Sequence, residues 1–156
     1  MLNLNIISFK NGGLWRHNEN TIYNIFYGIG NSSKLEVYCN EYESNVKVFE
    51  AIAQESKHAW NVTVETPVTI QNPFGQHTEL YSSNFEMREG FFYSEILKDD
   101  YTPNIVAGQS FLPNARFEGN PMRAPYALIK LEYVGIANTR MYAINVHIIS
   151  SDRHNM

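Results

Sequence analysis

Apolar and polar side chains alternate in short runs along this chain, and turn-forming residues separate the runs. A period of two marks strands with one buried face. Leu2, Leu4 and Ile6 alternate with Asn3, Asn5 and Ile7, a pattern suited to a sheet edge. Phe9-Lys10-Asn11-Gly12-Gly13 breaks it. Asn-Gly predicts a two-residue hairpin turn, because a type I′ turn needs φ > 0 at both central residues. Leu14-Trp15-Arg16-His17 is then the returning strand, and Asn18-Glu19-Asn20 a second turn. Residues 22–27 are apolar without a clear period and are closed by Gly28 and Gly30. Residues 34–40 give the cleanest strand of the first half, with Leu35, Val37 and Cys39 on one face and Lys34, Glu36 and Tyr38 on the other. Residues 46–53 read two ways: Val46 and Val48 alternate as in a strand, whereas Val46, Phe49, Ile52 and Ala53 share a helical face.

Trp60, Val62 and Val64 alternate with Asn61, Thr63 and Glu65 until Pro67 stops the run. Residues 71–75 form a loop, and residues 85–88 and 91–97 flank Glu89-Gly90 as a strand pair or one bulged strand. From 99 to 125 the pattern lapses: residues 101–125 hold four prolines and two glycines with no sustained period. Such a segment is either a loop strapped over the sheet by Phe111 and Phe117 or an arm that packs on a neighbouring subunit. Residues 127–133 and 142–148 then alternate strongly around Gly135-Ile136-Ala137-Asn138 and predict a hairpin whose aliphatics each contribute ~1.5–3 kcal/mol on burial. Residues 150–156 read as a polar tail. Spaced strands with turns between them predict an all-β fold, one antiparallel β-sandwich or open barrel over residues 1–156 with a long irregular loop or arm.

Composition supports this reading. The chain has 156 residues, 44% apolar and 18% charged, enough to bury a core. Ten Tyr, nine Phe and two Trp favour strands and interfaces over helical bundles, and eighteen Asn suit turns. The net charge of −4 and the lack of any Lys/Arg run argue against a protein built to grip phosphates. The one cysteine, Cys39, excludes an intrachain disulfide and reads as a small buried hydrophobe. The opening residues lack the pattern of a signal peptide, and no apolar run approaches the ~20 residues that span a bilayer. A cytoplasmic origin is expected, with no membrane partner.

No reaction centre emerges. His17, His58, His77, His147 and His154 make no metal-ligand spacing with one another or with Cys39. No GxSxG is present, and Gly28-Ile29-Gly30 is only a fragment of a phosphate loop. Glu41/Glu43 and Asp99/Asp100 lie in turn-like sequence. No catalytic residue, cofactor or metal is therefore assigned. Recognition remains: Trp15, Tyr23, Phe26, Tyr27, Tyr38 and Tyr42 stand among polar neighbours, as interface aromatics do, although a β protein also needs many aromatics in its core.

Phe9 to Gly28, with FKNGGLWRHN leading to YNIFYG, resembles a module in virion structural proteins of crAss-like bacteriophages, of the tail, collar-ring or muzzle type. Ser32-Ser33-Lys34-Leu35-Glu36-Val37, Arg88-Glu89-Gly90-Phe91-Phe92-Tyr93-Ser94 and the closing run from Asn145 to Arg153 follow in the same order as the family's elements. The resemblance implies a non-enzymatic subunit of a collar or tail ring around the DNA channel of the head–tail assembly. It implies a cyclic homo-oligomer located in the virion's neck or tail, with other tail, collar and portal proteins as partners and DNA only as passing cargo. The candidate assembly residues are Trp15, Arg16, His17, Phe26, Tyr27, Phe111 and Phe117. The competing expectation is a carbohydrate- or ligand-binding β-sandwich in which Trp15 and the tyrosines stack on sugar rings.

Overall fold

The strand at the centre of the molecule comes from the segment whose periodicity is ambiguous. A computed structural model of the chain describes residues 6–17, 19, 21–43, 45–68, 75–98 and 119–151. In chain order the strands are β1 (Ile7–Lys10), β2 (Gly13–Arg16), β3 (Ile25–Phe26), β4 (Ile29–Gly30), β5 (Ser33–Cys39), β6 (Lys47–Ser56) and β7 (Asn61–Glu65). They continue as β8 (His77–Leu80), β9 (Glu86–Arg88), β10 (Phe91–Glu95), β11 (Leu97–Lys98), β12 (Asn120–Ala124), β13 (Ala127–Tyr133) and β14 (Met141–Ser150). Every pairing is antiparallel, and the described residues include no α-helix, only a short 3-10 turn at Ser82–Asn84. The fold is all-β.

β6 pairs with β14 along one side, and with β12 and then β10 along the other. Phe49 lies opposite Ile148 and Ala51 opposite His147, so Glu50 is an extra residue, a β-bulge. The bulge reverses which parity faces the core. Phe49 before it and Ile52 after it are both fully buried, three residues apart on one face of a sheet. A three-residue apolar spacing is what made the segment resemble a helix.

β10 leaves β6 at Ile96, whose backbone N–H still donates to Glu50 O (2.8 Å), and the chain continues as β11 on the far side of β12. β12 lies inside the stretch expected to be irregular. Met122 and Ala124 face inward, and Pro121 stands opposite Leu97, beyond the residues that pair with β6. With only five residues and a proline, β12 was too short to register as a pattern. Residues 99–118, including Phe111 and Phe117, lie outside the described residues.

The second sheet runs β5-β13-β7-β8. Its inward residues Val62, Val64, Leu80, Ala127, Ile129 and Leu131 join Phe49, Ile52, Ile96 and Met122 of the first sheet in one core. Residues 127–133 and 142–148 are therefore no hairpin. β13 pairs with β5 and β7, while β14 pairs with β6 in the opposite sheet. Facing each other across the core buries both apolar faces, which side-by-side pairing in one layer would not achieve. A second irregularity, between Met141 and Ala143, leaves Tyr142 63% exposed, although alternation placed it inward.

One side of the sandwich is closed, where β11 lies against β8. The other side carries the edges β5 and β14. At one corner, Gln54 holds the turn between sheets: its Nε2 donates to Trp60 O (2.9 Å) and its Oε1 accepts from Trp60 N–H (2.8 Å), all buried. Gln76 repeats the device with the backbone of Arg123. Buried Lys47, at the start of β6, donates from its ammonium to Pro125 O. Cys39 is half-buried against the core, and burial, helped by the charge of Glu41, raises its thiol pKa.

Candidate functional site: a pair of docked hairpins

Two small hairpins precede the sandwich strands, and each turns through two left-handed residues. Asn11 and Gly12 have φ of 51° and 76°, joining β1 to β2 as Asn-Gly predicts. Tyr27 and Gly28 have φ of 54° and 76°, joining β3 to β4. Asparagine tolerates this conformation, whereas for tyrosine it costs on the order of 1–3 kcal/mol. Contacts to the Tyr27 ring offset that cost.

In the register of the first hairpin Ser8 opposes Trp15 and Phe9 opposes Leu14. Ser8, Lys10, Trp15 and His17 converge on Tyr27. Trp15 meets its ring edge-on at 5.6 Å between centroids, and His17 does the same at 5.7 Å. The Lys10 ammonium lies 4.4 Å from the ring centroid. Ser8 Oγ donates to the Tyr27 hydroxyl (3.1 Å) and lies 2.7 Å from His17 Nε2. Trp15 Nε1 donates to Lys10 O (3.3 Å). At Gly28 it is the left-handed backbone that calls for glycine: a β-carbon there would meet the Trp15 ring only at ordinary contact distance, 3.5 Å.

A serine beside a histidine invites comparison with an activated nucleophile. Activation requires the serine to donate its proton to the ring nitrogen. Here Ser8 Oγ bridges the imidazole and the Tyr27 hydroxyl. Glu19, the nearby carboxylate, is paired with Arg16 at 2.7 Å. Among the described residues no group of three or more His, Cys, Asp or Glu is placed to hold a metal ion. His17 acts here as a positioning contact for Tyr27.

The second hairpin is tied to the sandwich through Asn24 and Tyr23. Tyr23 N–H donates to Ile136 O (2.9 Å), Asn24 Nδ2 donates to Gly135 O (2.9 Å) and Ser33 Oγ donates to Asn24 Oδ1 (2.9 Å). The linkage runs from the β13–β14 loop through the second hairpin to the first. Between the hairpins lies a cavity of about 340 Å³ lined by Trp15, Arg16, His17, Tyr23, Phe26 and Tyr27 among others. Both hairpins also leave apolar side chains bare: Phe9 is 83%, Leu14 64% and Phe26 56% exposed, and Ile7 and Ile29 are exposed as well.

Five of the seven residues singled out in the sequence, Trp15, Arg16, His17, Phe26 and Tyr27, thus line one site. Phe111 and Phe117 fall outside the described residues. Sequence reading missed Ser8, Lys10, Asn24 and Gly135. The first two were accessible, since an Asn11-Gly12 turn pairs Ser8 with Trp15. Asn24 and Gly135 meet only in three dimensions. Tyr38 and Tyr42, also noted for recognition, are exposed on β5 and just after it.

Comparison with curated proteins gives no match. A family model, that of the crassvirus muzzle protein C-terminal domain, matches residues 21–99. That span begins just before β3 and runs past β11, taking in the Tyr27-Gly28 turn, both edges of the Gln54 corner and the Glu89-Gly90 hairpin. Half the chain follows this one model, and the chain belongs to the crassvirus muzzle protein C-terminal domain family, as a virion structural protein of a crAss-like bacteriophage.

Proposed function

We propose that this protein is a non-enzymatic subunit of a collar or tail ring in the head–tail assembly, surrounding the DNA channel and touching its neighbours through the paired hairpins. The observation that carries the reading is the apolar exposure of those hairpins: Ile7, Phe9 and Leu14 lie bare on the face of the first hairpin opposite Ser8 and Trp15, and Phe26 and Ile29 are exposed on the second. Exposed apolar residues gathered on one rigid element favour burial against another protein. A ring needs one heterologous contact repeated around an axis, and a small subunit with one such patch suits that geometry. The net charge of −4 suits a wall that lets DNA pass without holding it. Its partners are copies of itself and the other tail, collar and portal proteins, in the neck or tail of the virion.

The sugar-binding alternative has less support. Trp15 already meets the Tyr27 ring and gives its indole proton to Lys10 O, so part of its surface is committed inside the protein. Electron microscopy of purified particles tests the assignment: density for the protein is expected as a ring on the particle axis. Particles that lack the protein would overturn it. Substituting Phe9 and Phe26 by Ser is expected to leave the sandwich folded and to abolish incorporation.

A further inference from the structure

We infer that β5 is a docking edge for a second copy of the chain, with the two four-stranded sheets joining through antiparallel β5–β5 pairing about a two-fold axis at Leu35. The inference goes beyond the ring reading and concerns a different surface from the hairpins: a two-fold contact is isologous and joins free chains, or the chains of two rings face to face, not neighbours within one ring.

β5 is an open edge guarded by charge alone. Its seven residues pair with β13 in unbroken register and, among the described residues, with no other strand. It contains no proline and no bulge, two devices by which edges are commonly blunted. Leu35 and Val37 face the core, yet they are 39% and 38% exposed, whereas Leu131 and Ile129 opposite them are about 1% exposed. The inner layer stops one strand short of covering its own side chains.

The charges on the other face specify the occupant. Lys34 opposes Glu132 on β13, with Nζ 3.4 Å from Oε1, and Glu36 opposes Lys130. The outer face of the sheet thus carries two rows of alternating sign that end at Lys34 and Glu36. A second β5 placed antiparallel with Leu35 opposite Leu35 puts Lys34 against the second copy's Glu36, and Glu36 against the second copy's Lys34. One row then reads Lys130, Glu36, the second copy's Lys34, the second copy's Glu132, and the other is its mirror in sign. Sliding the second strand by two residues would set Glu36 against Glu36. Opposite charges directly across a strand pair stabilise and like charges destabilise, so the strand selects itself and one register. Leu35 against Leu35 covers the exposed aliphatics beneath.

Sedimentation equilibrium with charge-swapped variants tests this. The wild-type chain is expected to dimerise. Lys34→Glu sets two glutamates against each other at both symmetry-related positions, and Glu36→Lys does the same with lysines. Each variant is expected to weaken the dimer about tenfold or more. An equimolar mixture of the two single variants restores both pairs as a heterodimer, and the double variant restores them within one chain. All three variants change solvent-facing side chains, and circular dichroism verifies that they fold. Leu35→Cys in a Cys39→Ser background is expected to form a disulfide to its own copy on mild oxidation, because directly opposed residues lie within disulfide reach. A monomer at every concentration, a self-association indifferent to these charges, or capture of β5 by another phage protein in place of a second copy would each overturn the inference. The ring reading is judged separately, by the presence of the protein in particles: a charge-insensitive ring would keep that reading and remove this one.

Discussion

Trp15 stands at a right angle to Tyr27, with centroids 5.6 Å apart and planes at 87°, and Tyr27 holds that position from a left-handed turn conformation. Tyr27→Asn separates these two roles, since asparagine accepts φ > 0 but carries no ring. Loss of one aromatic pair is worth ~0.5–1.5 kcal/mol beyond burial. Hydrogen exchange across residues 7–17 is therefore expected to accelerate by roughly tenfold, with the urea midpoint of the sandwich unchanged. Tyr27→Phe, which removes only the Ser8 hydrogen bond, is expected to have a smaller effect on the same amides.

Gln54→Leu is nearly isosteric but leaves the N–H and C=O of Trp60 buried without partners. Each orphaned buried group costs ~1–3 kcal/mol, so a loss of about 2–4 kcal/mol is expected in urea denaturation. Gln54→Glu keeps the acceptor for Trp60 N–H but gives up the donor and buries a charge, and it is expected to be worse still.

Gly135→Ala strikes the loop that anchors the second hairpin. A β-carbon at this position would clash with the Tyr133 hydroxyl, so the Tyr133 ring or the loop must move. The Tyr133 ring stacks against His58 and packs at an angle on Trp60, which limits its freedom. The expected result is a displaced loop and weakened Asn24 and Tyr23 hydrogen bonds, seen as amide chemical-shift changes in both hairpins. Unchanged shifts around residues 23–28 would disprove the coupling between loop and hairpins.

The Glu132 carboxyl is held below the ordinary carboxylate range, first by a hydrogen bond from Ser32 and then by the charge of Lys34. A carboxyl whose pKa is lower folded than unfolded contributes stability at pH values above the unfolded value. That contribution is lost as pH falls through the folded value. Wild type is therefore expected to exceed Ser32→Ala in stability at neutral pH, with the gap closing in acid below roughly pH 4. The side chain is close to half exposed and screened by solvent, so the difference is small. A direct check is NMR titration of the Glu132 carboxyl, which should move toward the ordinary range in the variant.

Strand existence was largely legible in the residues, because alternation and turn chemistry are local. Asn11-Gly12 specified its hairpin, Glu89-Gly90 separated β9 from β10, and Trp60, Val62 and Val64 went into the core as their spacing indicates. Sheet membership was not legible. The alternation of β13 and β14 is the same whether they lie side by side or face to face, and only long-range pairing with β5, β7 and β6 decides. The bulge at Glu50 was hidden for a related reason, since the extra residue is defined by its partner strand. At the candidate site, the residue types were readable as an aromatic cluster. The convergence on Tyr27 required the register of one hairpin and the docking of another.

The order in which β6 acquires its neighbours has a consequence for how the chain reaches its native state. β6 is the middle of the larger sheet, yet β12 and β14 lie far downstream, β14 beginning roughly 85 residues after β6 ends. Closing loops of that length precedes any gain from the pairing they permit, and topologies dominated by such contacts fold in milliseconds to seconds. During synthesis, β6 must therefore wait with an open side until β14 has emerged from the ribosome. Over that interval the emerging chain is exposed to mispairing with other unfinished copies of itself.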